Sequence, residues 1–279
     1  LFYMNNMASM FAINAIFYSC YLVSASIYLM TLLANKEKLS KIMGMVAFCW
    51  AMATHGGTGA IFGLISTRET MVSGLRPFEF ILAALTSSLA LLVVVIVLMV
   101  KITGRQIKDE LVISLGRFVA FFLCGLILLI WIGNLTHGYL AGREALAFML
   151  AGPFSLLFWG FQVLLGESIP LVILFHPKAR KTVIGVTVAS ILIVIGVFFE
   201  RLNLIIPGLS YPQQYFPGKI EGIYGAVGSF PLTPVESFMS LGIFALMGLL
   251  FVLGLKNLEL LPAGENIEQN GRIANDELS

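Results

Sequence analysis

Glu200 and Arg201 stand side by side where the apolar run that starts at Val183 gives out, just before the Tyr- and Pro-bearing stretch that follows Ile206. Charge at that depth in lipid is costly unless it is paired or wet. The pair reads either as an interfacial anchor, its long side chains reaching for water, or as a polar pocket where an acid handles protons for a lipid-soluble substrate. His55 lies in Thr54-His-Gly-Gly-Thr-Gly, on one helix stripe with Gly59 and Gly63. Small residues at that spacing admit a neighbouring helix, which is expected to point the imidazole into the bundle, as a structural hydrogen-bonding group or as a redox or proton group. His137 closes another apolar run in Asn134-Leu-Thr-His. Two histidines on two helices could ligate haem. Their depths differ by roughly 10 Å at the helical rise, however, and His176 falls at the opposite face, so no haem is expected. Glu167 precedes Pro170, which lacks an amide donor and crowds the carbonyl of Gly166. That places a carboxylate beside a helix break, either packed with Arg117 as its counter-ion or serving as a proton-relay acid on a wet path.

The elements that must position these groups follow from composition. Of 279 residues 58% are hydrophobic and 11% charged, whereas a soluble domain has about a quarter of its residues charged. Long unbroken apolar runs exclude a barrel, whose strands alternate over about ten residues. The fold class is therefore all-α, a polytopic transmembrane helix bundle. A net charge of +2 suggests no nucleic-acid partner. Cys20, Cys49 and Cys124 fall singly in separate apolar runs with no CxxC spacing, as small core residues and not metal ligands. No P-loop, GxGxxG, HExxH or catalytic-triad pattern is present, which leaves a soluble-substrate enzyme nothing to work with.

With about 20 apolar residues per span, about seven spans are expected: Met10–Leu33, Ile42–Ile65, Phe78–Val100, Leu111–Tyr139, Ala147–Phe175, Thr182–Ile206 and Pro234–Leu255. Residues 1–262 then form the membrane bundle, and 263–279 a polar, disordered tail. Loops on one side carry Lys36, Lys38, Lys41, Lys101, Arg105, Lys108, Lys178, Arg180, Lys181 and Lys256. This side is about twice as basic as the other, which places it and the C-terminus in the cytoplasm. The outer side then gathers Arg76, Glu79, Asn134, His137, Glu200, Arg201 and Asn203, with Arg117 and Glu167 in the inner half. The long loop Pro207–Thr233 is expected to be a lid or a docking surface for an outer subunit.

Ala53-Thr-His-Gly-Gly-Thr-Gly-Ala-Ile-Phe-Gly63, Arg76-Pro-Phe-Glu-Phe-Ile-Leu-Ala-Ala84 and Glu200-Arg-Leu-Asn-Leu-Ile-Ile-Pro207 resemble the NrfD/PsrC family, the membrane subunits of polysulfide reductase. The ending Phe230-Pro-Leu-Thr-Pro-Val-Glu236 resembles most the DsrP type, from the DsrMKJOP complex of dissimilatory sulfur metabolism. The likeness runs from about Met43 to Pro262. It implies a haem-free subunit of a prokaryotic cell membrane, without an iron–sulfur cluster of its own and not catalytic alone. Such a subunit exchanges electrons between menaquinone and an outer-face iron–sulfur subunit, alongside other membrane and cytochrome subunits and lipid, with proton translocation as a possible accompaniment. Carried onto this chain, the quinone-binding positions are His55, Glu79 and Glu200 with Arg201, and further Asn134 and His137. Glu167 and Arg117 are the expected proton path. Members usually have eight to ten spans, so spans before Leu1 are expected, or the first spans were lost.

The chemistry agrees with that resemblance. Quinol oxidation releases two protons with two electrons, and histidine titrates near neutrality while desolvation can bring a carboxylate there. An apolar slot between helices suits ring and tail. A secondary transporter with substrate at the Pro170 break, or a structural membrane anchor for redox partners, are the alternative readings.

Overall fold

The computed structural model describes residues 9–65, 70–103, 108–139, 143–211 and 233–257. They form helices α1 (Met10–Leu33), α2 (Glu37–Gly63), α3 (Arg76–Thr103), α4 (Asp109–Tyr139), α5 (Arg143–Ala151), α6 (Ile169–Phe175), α7 (Val183–Ser210) and α8 (Pro234–Asn257). A π-wound segment, Leu157–Ser168, runs directly into α6, and a short 3-10 turn, Ala179–Lys181, leads into α7. Among the described residues there is no strand. The chain is a multi-pass, all-helical membrane protein: among the described residues six segments are long and apolar enough to cross a bilayer, namely α1, α3, α4, the π segment with α6, α7 and α8.

Two expected spans differ from what the sequence suggested. The span at Ile42–Ile65 is the 27-residue helix α2, long enough to cross at 1.5 Å per residue. Its second half, rich in Thr, His and Gly, keeps it below the apolarity of the other six. The span expected at Ala147–Phe175 is two pieces: α5 ends at Ala151, and the chain turns through Gly152 and Pro153 before the π segment begins. Pro153 cannot donate to a continuing helix, and a Cβ on Gly152 would collide with the carbonyl of Phe148. The loop between Tyr211 and Thr233 and the tail after residue 257 lie outside the described residues.

Turn chemistry sets the antiparallel order. Asn35 adopts φ 52° after α1, and the amides of Asn35 and Lys36 return to the carbonyls of Leu32 and Thr31 at 3.0 and 3.1 Å. This is the paired capping pattern that a left-handed residue allows, and it folds α2 back along α1. Glycines then let the pair close: Gly57 of α2 lies against Asn14 and Phe17 of α1, and Gly44 against Tyr28. Thr182 caps α7, its hydroxyl accepting from the amide of Gly185 at 3.1 Å.

Helices α1 to α7, apart from the last residues of α3, belong to one compact unit and α8 to a second. In the second unit, residues 233–253 are exposed throughout. The apolar core of the first unit occupies the half nearer the basic connections. Ala90 and Val93 of α3 meet Val119 and Leu123 of α4, Leu174 of α6 and Ile193 of α7 there. Toward the other end the core divides into two small clusters, Ala83 with Leu126 and Ile130, and Met71 with Phe80 and Leu204, and polar side chains stand among them.

Candidate functional site

Four helical segments carry polar groups into that thinned end. The turn before α3 is closed by Ser73, whose Oγ accepts from Leu75 N at 3.2 Å and whose carbonyl accepts from Arg76 N at 3.2 Å. Arg76 and Glu79 then share the first turn of α3, and the guanidinium meets Glu79 Oε2 at 2.6 Å. A helix N-terminus favours a carboxylate, and Glu79 is buried to 1% side-chain exposure. Its other oxygen lies against Gly133 of α4, where an added Cβ would approach Oε1 to 2.7 Å.

From α7, Glu200 accepts from Arg201 at 3.3 Å, and the Arg201 guanidinium lies 3.5 Å over the ring of Phe80 on α3. A cation over an aromatic face is favourable, the more so when desolvated. Glu200 also lies within electrostatic reach of Glu79 and Arg76. Two acids and two guanidinium groups thus make a charge-balanced quartet between α3 and α7. Balance of this kind is what makes charge tolerable in an apolar bundle.

Beside the quartet a hydrogen-bonded chain runs toward the basic end. Asn203 Nδ2 donates to Gln162 Oε1 at 2.9 Å, and Gln162 Nε2 donates to Glu167 Oε1 at 3.2 Å. All three side chains are buried. Glycine makes the crossing possible: Gly166 of the π segment and Gly196 of α7 touch backbone to backbone, with no room for a Cβ on either. One turn beyond Gly196 along α7 comes Glu200.

Asn134, Arg76, Gln162, Glu200 and Asn203 line a cavity of about 20 Å³. A neighbouring one of about 10 Å³ is lined by Thr70, Ser73, Arg76, Asn134 and His137. Glu200 Oε2 and Asn203 Oδ1 are buried acceptors with no hydrogen-bond partner among the described residues. They call for a donor, and a quinol hydroxyl is one. The enclosed space takes a water molecule, which needs about 10–15 Å³, and not a ring. The Glu200–Arg201 pair keeps 10% and 26% of its side-chain exposure, so a larger donor has the bundle surface at this pair as its approach. In donor and acceptor chemistry these residues suit a quinol headgroup.

The structure brings together Glu79, Asn134, Glu200 and Arg201, places His137 in the adjoining cavity, and treats two expected residues differently. His55 is exposed and does not point into the bundle. Gly56, Gly59 and Gly63 face Ile81, Pro77 and Ser73 of the α3 side, while Gly57 and Thr58 face α1; His55 falls between these two stripes. It remains within electrostatic reach of Arg201. Arg117 is not the counter-ion of Glu167: among the described residues the ion pairs are Arg76–Glu79 and Arg201–Glu200, and Arg117 lines a separate cavity near the basic end. Gln162 was not foreseen as a site residue. Five residues separate it from Glu167, which an α-helix would set about 140° apart; i→i+5 winding brings them to one side. The signal available in the sequence was Pro170, whose missing amide disturbs the α register just upstream.

Residues 1–213 match the family model described as polysulphide reductase, NrfD. Over 264 residues, 92% of the chain, the sequence is 35% identical to the Hdr-like menaquinol oxidoreductase integral membrane subunit of Archaeoglobus fulgidus, and covers 67% of that protein. It is 28% identical over 225 residues, 78% of the chain, to a selenate reductase subunit of Mesobacillus selenatarsenatis, where it spans 51% of the relative's length.

Proposed function

The chain belongs to the NrfD family of polysulphide reductase membrane proteins, and on that footing we propose that it is the quinol-interacting membrane subunit of a respiratory electron-transfer complex. It exchanges electrons between menaquinone and an iron–sulfur subunit docked at the end of the bundle that carries Arg76, His137 and Arg201. That end faces outward from the cytoplasmic membrane of a prokaryote, and other membrane and cytochrome subunits complete the complex. The narrower assignment is the DsrP type of sulfur metabolism, supported by the Phe230–Glu236 ending. Menaquinone is favoured because a relative 35% identical is named for menaquinol.

The observation that carries the reading is the buried acceptor Glu200 Oε2, unpartnered among the described residues and set in a charge-balanced cluster that reaches the bundle surface at Arg201. When bound, menaquinol supplies two electrons and two protons. Glu200 takes up the two protons one after the other at Oε2, and Arg201 and Arg76 hold its negative charge before each. Asn203 and Asn134 orient the donor through their amides. His55, at the surface within reach of the Arg201 charge, passes the proton outward. Gln162 and Asn203 fix Glu167 at the inner end of the chain, and Glu167 is the acid of a path from the cytoplasm. Amides do not themselves take up a proton near neutral pH, so Gln162 and Asn203 position the path and water completes it between the two carboxylates.

The test is quinol-dependent electron transfer in the assembled complex. Loss of a positioned acid–base group costs roughly 10²–10⁴-fold in rate, so Glu200→Gln is expected to fall in that range while the complex still assembles. His55→Ala, assayed separately, is expected to slow turnover less. Wild-type rates and quinone affinity in both variants would move the pocket elsewhere. A purified complex that holds no quinone would favour a transporter or an anchor.

A further inference from the structure

A cavity far larger than those at the carboxylate cluster lies elsewhere in the bundle. It lies at the opposite end, between the first half of α4, the end of α6 and the start of α7, with a volume of about 570 Å³. Sites that hold drug-sized ligands run to about 300–1,000 Å³, so this one has room for a substantial ligand. Its lining has two parts. Arg117 of α4 and Arg180 and Lys181 of the 3-10 turn supply three cations, and among the described residues no acidic side chain lines the cavity. The rest is apolar, chiefly Ala120, Phe121, Cys124 and Leu174.

The two parts are arranged along one direction. Ile113, Arg117, Ala120, Phe121 and Cys124 recur at the three- and four-residue spacing that shares a helix face, so the apolar wall continues into the membrane from Arg117. Gly116 closes the floor: an added Cβ there would approach Val186 of α7 to 2.7 Å. Arg117 lies eight residues into α4, about 12 Å from its start, and its side chain is exposed. An arginine at that depth is expensive in lipid without an anion, and among the described residues none of the three cations makes an ion pair. Arg180 and Lys181 come from a connection more than sixty residues further along the chain, so the cation cluster is made by the fold and not by one basic run.

We propose that this cavity binds one anionic phospholipid from the leaflet on the basic side. Its phosphate sits among Arg117, Arg180 and Lys181, and an acyl chain lies against Ala120, Phe121 and Cys124. A guanidinium fork matches phosphate oxygens in pairs, and basic recesses between membrane helices are suited to such headgroups. A neutral quinone has no use for three cations, which separates this site from the carboxylate cluster. The inference stands whether or not the quinol reading holds.

The experiment uses the whole complex, purified in mild detergent, washed free of loosely held lipid and extracted for phospholipid analysis. Wild type is expected to keep an anionic phospholipid that the double variant Arg180→Gln/Lys181→Gln loses about tenfold or more, two cations near the headgroup having been removed. Arg180 and Lys181 are exposed in a connecting turn, so the bundle is expected to fold without them. Ala120→Trp, which fills the apolar slot and leaves the cations, is expected to lose the lipid too; if it does not assemble, the cation variant decides alone. Added back to washed protein, phosphatidylglycerol is expected to raise the unfolding temperature of wild type where phosphatidylcholine and inorganic phosphate do not. Equal retention in the cation variant, or equal stabilisation by phosphatidylcholine, would overturn the proposal. Stabilisation by inorganic phosphate as strong as by phosphatidylglycerol would make this a phosphate site and overturn the lipid assignment.

Discussion

Glu79 shows how a residue that looks like a ligand contact can be a structural partner of the site. Its carboxylate is spent on Arg76 at 2.6 Å and sealed by Gly133, so its first role is to balance charge beside Glu200. Removing one member of a buried pair strands the other, typically at about 3–5 kcal/mol. Glu79→Ala is therefore expected to destabilise the purified protein by that order in a denaturant or thermal titration. The double variant Glu79→Ala/Arg76→Ala should recover part of the loss, and a simple sum of the two single losses would show that the pair is not coupled. Glu167 is a different case, because Gln162 holds it without a counter-charge. Glu167→Gln keeps the shape and removes the acid, so it is expected to slow quinone-coupled turnover or abolish charge movement with assembly intact. Unchanged rates and unchanged proton movement would leave Glu167 a packing residue.

The element that governs the site is the crossing of the π segment with α7. Lipid tails are as apolar as leucine, so close approach of helix backbones replaces hydrophobic burial as the source of association, and Gly166 against Gly196 is such an approach. Gly196→Val is expected to force the helices apart and to cost at least the 1–3 kcal/mol typical of overpacking. It should also break the Asn203–Gln162 contact, read as loss of both thermal stability and turnover. Wild-type stability in that variant would mean that the crossing is looser than described. Thr182 positions the same helix from its other end, and Thr182→Ala is expected to cost about 1 kcal/mol, the usual worth of an N-cap, without changing turnover per folded protein.

Over the whole molecule, charge is sorted by end. Basic connections at Lys36–Lys41 and Lys178–Lys181 stand at one end of the bundle and the carboxylate quartet near the other. The positive-inside bias assigns the basic end to the cytoplasm. With Cys20, Cys49 and Cys124 replaced by alanine, a cysteine at Lys178 should react with an impermeant thiol reagent only from the cytoplasmic side, and one at Arg143 only from outside. The reverse labelling would invert the topology and, with it, the face on which an electron-transfer partner docks. A cluster-bearing partner found only at the basic end would have the same consequence.

Length and apolarity were enough to determine from sequence that this chain is a bundle of membrane helices, because a bilayer admits few other solutions to backbone hydrogen bonding. The same local logic placed acids and cations by end, since depth along a helix is a matter of counting residues. It also marked Pro170 as a disturbance, which the structure shows as a change of winding upstream and not as a break, and the closeness allowed by glycine stripes. What it could not supply was the direction each side chain takes and the partner it meets. His55 was read on the stripe of Gly59 and Gly63, but the neighbours of α2 divide its surface so that the imidazole falls between them. Gln162 met Glu167 only through a change of helical winding, and Arg117 lines a cavity with Arg180 and Lys181 and makes no ion pair with Glu167 among the described residues. The surroundings of His55 and Arg117 depend on residues distant in sequence, and the period of a single helix carries no record of which neighbour will pack against it. The Gln162–Glu167 contact is local, but it needs a winding that the α period does not supply.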